Sequence, residues 1–271
     1  DRYIIAETSS TLLLGDIVND KSSEVEWMGS GNEKFEFTDR NICWICNAGE
    51  ISVVEFGIDE ILGNFRTEYV SRGLISAIIK QSREHSKKFI AYLLDLHTIC
   101  ILNLQTRITE ATIDHDCNIL SLSFNSNATK LLFKDKKRGL YLYNLLTGEK
   151  QTLLTYSGFY GWVPDSDVIV AQNKESLNVW YSSDSPDKKI TIGVKGTVVA
   201  IKCDKKIGVT VQDGNIENFT PLDDLLIKFG YALDNKELGT CLAVLENRSD
   251  GETEGHWRTL LRVAYEEQNY F

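Results

Sequence analysis

The stretch Asn41–Gly57, NICWICNAGEISVVEFG, is two apolar runs around an Asn-Ala-Gly-Glu turn, and it contains a C-x-x-C at Cys43 and Cys46. In a helix start or a tight knuckle such a pair forms a redox dithiol or half a zinc site. In a strand, successive side chains alternate faces, so residues three apart point to opposite sides of the sheet and cannot share a metal. The sequence offers no second C-x-x-C and no histidine close by to complete a ligand set. The expectation is therefore a β-hairpin whose cysteines are packing groups.

The same pattern recurs along the chain. RYIIAETSSTLLLGDI, FIAYLLDLHTICILNL, KLLFKDKKRGLYLYNL, DVIVAQNKESLNVWYS and KIGVTVQDGNIENFTP are further hairpin pairs: short runs of Ile, Val, Leu, Tyr and Phe punctuated by Gly, Asn, Asp and Ser. Aligning the second strand of each pair gives Gly15, Val54, Leu102, Tyr143, Trp180 and Phe219 as equivalent positions, with steps of 39, 48, 41, 37 and 39 residues. A period near 40 with four strands per unit is the mark of a WD-repeat propeller blade. The expected architecture is thus mainly β, a WD-repeat propeller over residues 1–221 with about six blades visible. The first blade's leading strand would lie upstream of Asp1, and the last blade's fourth strand would also come from upstream sequence. The fourth unit is the fullest, with a turn at Asn125–Thr129 and the turn LLTGEK. In it Tyr143 and Asn144 stand where a typical repeat has Trp-Asp; in the fifth, Trp180 keeps the aromatic and Tyr181 follows.

After Pro221 the period changes. PLDDLLIKFGYALDNKELGTCLAVLEN and TEGHWRTLLRVAYEEQNYF predict three helices over 222–271. Pro221, Asp223 and Asp224 suit a first helical turn, Thr253 suits an N-cap, and Trp257, Leu260, Leu261 and Ala264 share one face of the last helix. Trp-x-x-Leu-Leu-x-x-Ala is also how the first helix of a tetratricopeptide-type repeat begins. Such a helix cannot cover its own apolar face, so a helical solenoid is expected to continue past Phe271.

Among 271 residues, 39 acidic against 29 basic give a net charge of −10, which opposes nonspecific attraction to nucleic acid or anionic lipid. No apolar run approaches the roughly 20 residues needed to cross a bilayer. The six cysteines sit mostly in apolar runs and read as reduced thiols of a cytosolic protein, so the sequons at Asn127, Asn218 and Asn247 read as chance matches. The four histidines, His85, His97, His115 and His256, are isolated; His115, just before a first strand, is expected to make a buried hydrogen bond within its blade. Gly29–Lys34 is glycine-rich but lacks a Walker lysine pattern and a following helix, and reads as a blade-to-blade turn. The basic runs at 80–88 and 134–138 read as solvated hairpin tips. No G-x-S-x-G and no motif-placed carboxylate pair is present. The sequence therefore names no catalytic, cofactor-binding or metal-ligating residue.

STLLLGDI, EVEWMGSGNEKFEF, NAGEISVVEFG, GWVPDSDVIVAQNKESLNVWYS and DDLLIKFGYALDN, in this order, resemble the intraflagellar transport family, namely the second WD-repeat propeller and first helical repeats of a peripheral complex B subunit. The resemblance implies a non-enzymatic scaffold of the cilium and cytoplasm that takes other complex B subunits as partners, with no cofactor and no small-molecule substrate. It carries over no site residue, so binding is expected on blade-face loops and in the groove where the propeller meets the first helices. The alternative is a coatomer-like vesicle-coat subunit, which shares the propeller-then-solenoid layout.

Overall fold

The structure, a computed structural model, describes residues 2–37, 42–67, 69, 75–81, 86–164, 166–203, 206–234, 236–247 and 254–266. His85 and Thr253 lie outside the described residues.

Among the described residues, six antiparallel sheets follow one another along the sequence. The first is β1 (Tyr3–Glu7), β2 (Thr11–Asp16) and β3 (Lys21–Glu26); the second β4 (Lys34–Phe37), β5 (Ile42–Asn47), β6 (Glu50–Glu55) and β7 (Ile61–Arg66). The third is β8 (Ser76–Gln81), β9 (Ser86–Leu93), β10 (Thr98–Asn103) and β11 (Thr109–Asp114); the fourth β12 (Ile119–Phe124), β13 (Lys130–Asp135), β14 (Leu140–Asn144) and β15 (Lys150–Leu154). The fifth is β16 (Tyr160–Trp162), β17 (Ile169–Asn173), β18 (Ser176–Trp180) and β19 (Ile190–Gly193), and the sixth β20 (Thr197–Cys203), β21 (Ile207–Asp213) and β22 (Ile216–Pro221). Among the described residues three helices follow: α1 (Asp224–Asp234), α2 (Leu238–Glu246) and α3 (Glu254–Glu266).

In every sheet each strand pairs with its neighbour in sequence, the meander of a WD-repeat propeller blade. The six positions aligned by period fall in β2, β6, β10, β14, β18 and β22, one every fourth strand. The apolar pattern had this period because the two middle strands of a blade are covered on both faces. Thus Ile42–Cys46 of β5 and Ile169–Gln172 of β17 are buried without interruption, whereas β15, β19 and β22 are largely exposed.

The chain forms two compact units: Asp1–Lys137 with Tyr141–Lys150, and Arg138–Leu140 with Gln151–Phe271. In the first unit the core lies between successive sheets. Leu12, Leu14 and Val25 meet Cys43, Ile45 and Val54; Trp44, Cys46 and Val53 meet Ile90, Tyr92 and Cys100; Leu93 and Ile99 meet Phe124, Leu131 and Phe133. Hydroxyls join the same sheets: Ser23 Oγ donates to the Glu55 carbonyl at 2.9 Å, Thr67 Oγ1 to that of Leu93 at 2.7 Å, and Ser76 Oγ accepts from the Phe124 N–H at 3.0 Å.

In the second unit the fifth and sixth sheets share a core of valines, Val168, Val170, Val179, Val209 and Val211 among them, and Leu222, Leu226 and Ile227 extend it into α1. A separate cluster of Phe229, Leu238, Cys241, Leu245, Leu260 and Ala264 holds the helices together. Three sequence expectations are corrected here. Pro221 is the last residue of β22, paired with Gly208, and Asp223 is the cap instead: its Oδ1 accepts from the N–H groups of Leu225 at 3.0 Å and Leu226 at 3.1 Å. Leu261 does not share the buried face of α3. It is 61% exposed, whereas Trp257 and Val263 pack beside Leu260 and Ala264, because α2 meets only one side of the helix. Lys88, read as part of a solvated tip, is buried and pairs with Glu55 at 2.8 Å.

Candidate functional site

Several of the described residues that could have carried chemistry are engaged in holding a blade. Cys43 packs between the first two sheets and Cys46 between the second and third, so the two thiols face opposite sides of β5. Burial pushes the Cys43 thiol up to about 12 and raises that of Cys46, which keeps both protonated and unreactive. Among the described residues no group of three or more His, Cys, Asp or Glu side chains is arranged to hold a metal, and no helix is long and apolar enough to cross a membrane.

His115 does what its place before β12 suggested. Its Nε2 lies 3.2 Å from Asp135 Oδ2 inside the fourth blade, and the Tyr141 hydroxyl donates to the same oxygen at 3.2 Å. Asp135 belongs to the basic run at 134–138 and is 1% exposed, so that run is not wholly a solvated tip. Lys136 and Lys137 are exposed, and Arg138 lies over the Tyr156 ring and donates to its hydroxyl at 2.8 Å. Gly29–Lys34 is the turn between β3 and β4, held by Glu33, whose carboxylate accepts from the Ser30 N–H and is thereby lowered in pKa. His97 sits in the exposed turn between β9 and β10, its N–H bonded to Asp95 Oδ1 at 2.7 Å.

The groove expected between blades and helices exists in the second unit. A cavity of about 640 Å³ opens between the loop joining β18 to β19, α1 and the first turns of α3. The sequence builds it from Trp180 outward. The indole is fully buried and donates from Nε1 to the Pro186 carbonyl at 2.8 Å, which folds the loop back on the blade. Lys188 N–H closes a turn on the Ser185 carbonyl at 2.9 Å, and Lys189 lies 5.9 Å over the Trp180 ring. On the helical side His256 meets Phe229 edge-on at 5.2 Å, and Thr259 Oγ1 donates to the Gly255 carbonyl at 2.9 Å. The walls carry both signs, Lys188 and Lys189 against Asp187 and Glu254, with Ile190 and Leu226 as the apolar part. Of the polar lining residues, Thr259 is bonded within α3 and Thr191 to Asn178 Oδ1.

Sequence reasoning missed the residue that seats α1. Tyr181 occupies the place of the usual aspartate of a Trp-Asp pair. Its ring is buried among Leu222, Leu226 and Ile227, and its hydroxyl accepts the Asp223 N–H at 2.8 Å. The departure from the motif at Tyr181 was visible, but its partner lies 42 residues away and only the fold brings it near.

Fold and groove together define the class: a WD-repeat propeller chain with helices packed on its last sheets. No protein-family model matches the chain. It is similar to the intraflagellar transport protein 172 homologue of Danio rerio, 43% identical over 99% of this chain and 16% of that protein. It is 41% identical to intraflagellar transport protein 172 of Chlamydomonas reinhardtii over 97% of this chain and 15% of that one. With intraflagellar transport protein osm-1 of Caenorhabditis elegans it shares 37% identity over 100% of this chain and 16% of the relative. The chain thus corresponds to one segment, about a sixth of the length of the relatives it matches.

Proposed function

We propose that the chain is the propeller-and-helix segment of an intraflagellar transport protein that acts as a scaffold within the complex B trains of the cilium. The similarity along its whole length to proteins named for intraflagellar transport carries this reading. The burial of the Cys43 and Cys46 thiols and the structural engagement of His115 and Asp135 favour a role without catalysis. In this reading residues 1–221 form the propeller platform, residues 222–271 begin a tetratricopeptide-like solenoid, and other complex B subunits bind the blade-face loops and the groove beside α3. The protein would serve cilium assembly and protein transport along the axoneme, moving between the cytoplasm, the ciliary base and the axoneme. The exposed apolar residues Leu261 and Tyr265 on α3 suit the packing of a further helix.

The test is purification of the tagged full-length protein from ciliated cells, with the co-purifying proteins identified by mass spectrometry and crosslinking. Complex B subunits crosslinked to the 182–189 loop or to α3 are the expected outcome. Recovery of vesicle-coat subunits and Golgi cargo receptors would overturn the transport reading while leaving the architecture intact.

A further inference from the structure

Independently of the transport reading, we propose that the groove beside β7, the edge strand of the second sheet, is a docking site for an extended peptide. The peptide adds to the second blade as a strand, seats an apolar side chain in the groove and places a carboxylate on Arg107.

β7 ends its sheet, so the outer row of its N–H and C=O groups has no strand partner among the described residues. Such a row is a template for a further strand. A cavity of about 460 Å³ runs beside it, and the consecutive residues Ile61–Phe65 all line it. Its other wall is Tyr92, Leu102 and Leu104, so the cavity opens where the edge strand β7 meets the third sheet. A bulge opposite Val53 and Val54 inserts Leu62 as an extra residue in β7, the local bend with which edge strands re-aim a side chain.

The floor is apolar and fixed. Phe65 and Tyr92 stack at 4.3 Å, and Leu104 is 2% exposed. Gly63 is buried and lets Leu104 pack close to β7; a Cβ there would stand 3.2 Å from Leu104 Cδ2. The rim carries Arg107, exposed in the turn after β10 and making no ion pair among the described residues. In a chain of net charge −10, a guanidinium unpaired among those residues beside an apolar floor selects for a carboxylate next to an apolar side chain and rejects a basic peptide.

The test uses phage-displayed random nonapeptides selected on the protein and counter-selected on an Arg107→Glu variant, which changes only an exposed side chain. Winning peptides are then synthesised and measured by fluorescence anisotropy. They should carry an apolar residue close to Asp or Glu, lose about tenfold in affinity on Arg107→Glu, and regain it when their acid is replaced by Lys. They should also slow hydrogen exchange at residues 61–66. Failure to enrich such peptides, affinity indifferent to Arg107→Glu, or protection away from β7 would overturn the proposal. So would a concentration-dependent dimer in light scattering that protects the same strand, which would assign the edge to a second copy of the chain.

Discussion

The fourth and fifth blades use the same repeat position for opposite purposes. In the fourth, Asn144 follows Tyr143, and its Oδ1 accepts from the N–H groups of Leu146 at 2.9 Å and Thr147 at 3.4 Å, closing the turn that starts the last strand. Asp16 in the first blade and Asn103 in the third do the same, bonding Val18 and Asn19, and Gln105 and Thr106, respectively. These are local bonds of short polar side chains to backbone two or three residues on, which any Asx residue can make. In the fifth blade Tyr181 makes no such turn; it reaches the N-terminus of α1 instead. The repeat thus fixes where a side chain sits, and the neighbour available decides what it does.

The largest expected effect breaks this contrast at Tyr181. Tyr181→Ala should destabilise the second unit by about 3 kcal/mol, through the lost burial and the cavity left under α1. Tyr181→Phe should cost only about 1 kcal/mol, the net value of one hydrogen bond. Urea denaturation read at β18 and α1 by hydrogen exchange checks both, and equal costs would mean that the ring does not seat the helix.

The second blade offers a third solution at the same position, where Glu55 pairs with the buried Lys88 of the next sheet. Lys88→Met alone should cost about 3 kcal/mol by leaving a buried carboxylate unpaired, and the double change Lys88→Met with Glu55→Leu should recover most of it. Thermal unfolding of the two variants decides whether the pair joins the second and third sheets.

Asn144→Ala should cost about 1 kcal/mol, confined to the turn before β15, because only local bonds are lost. Exchange rates across 145–149 against the rest of the fourth blade would show whether the effect stays local.

Asp16 sharpens the comparison through pH. Arg2, bonded to its carboxylate at 2.9 Å, lowers the Asp16 pKa from 3.8 to about 2. A group lowered in the folded state stabilises it above its unfolded value and loses that contribution as pH falls through the folded one. Stability of the first blade should therefore fall between pH 4 and 2 more steeply in the wild type than in Asp16→Asn, as followed by acid titration of the β1–β2 hairpin. Mildest of all, thiol labelling of the native protein should modify exposed Cys203 while sparing buried Cys43, Cys46, Cys100 and Cys241.

Much of this was legible in the chain itself. The hairpins, their spacing of about 40 residues, the change to helices after Pro221 and the opposed cysteines follow from local periodicity, which burial on both faces of a blade's middle strands imprints directly on the sequence. The groove beside α3 was expected at the right junction, but its walls were not, because the 182–189 loop is shaped by Trp180 and the helices rather than by a motif. Lys88 and Asp135 were read as solvated because each stands in a charged run; burial depended on partners 33 and 20 residues away, Glu55 and His115.

The sequence by itself determined the blade repeat, the strand-to-helix switch and the structural character of the thiols, since each depends on neighbours within a few residues. Only the tertiary structure decided that Tyr181 seats α1, that Glu55 and Lys88 bridge two sheets, and that a groove opens between β7 and the third sheet. Those outcomes rest on contacts between residues distant in sequence, and a side chain's environment there is set by the packing of whole sheets.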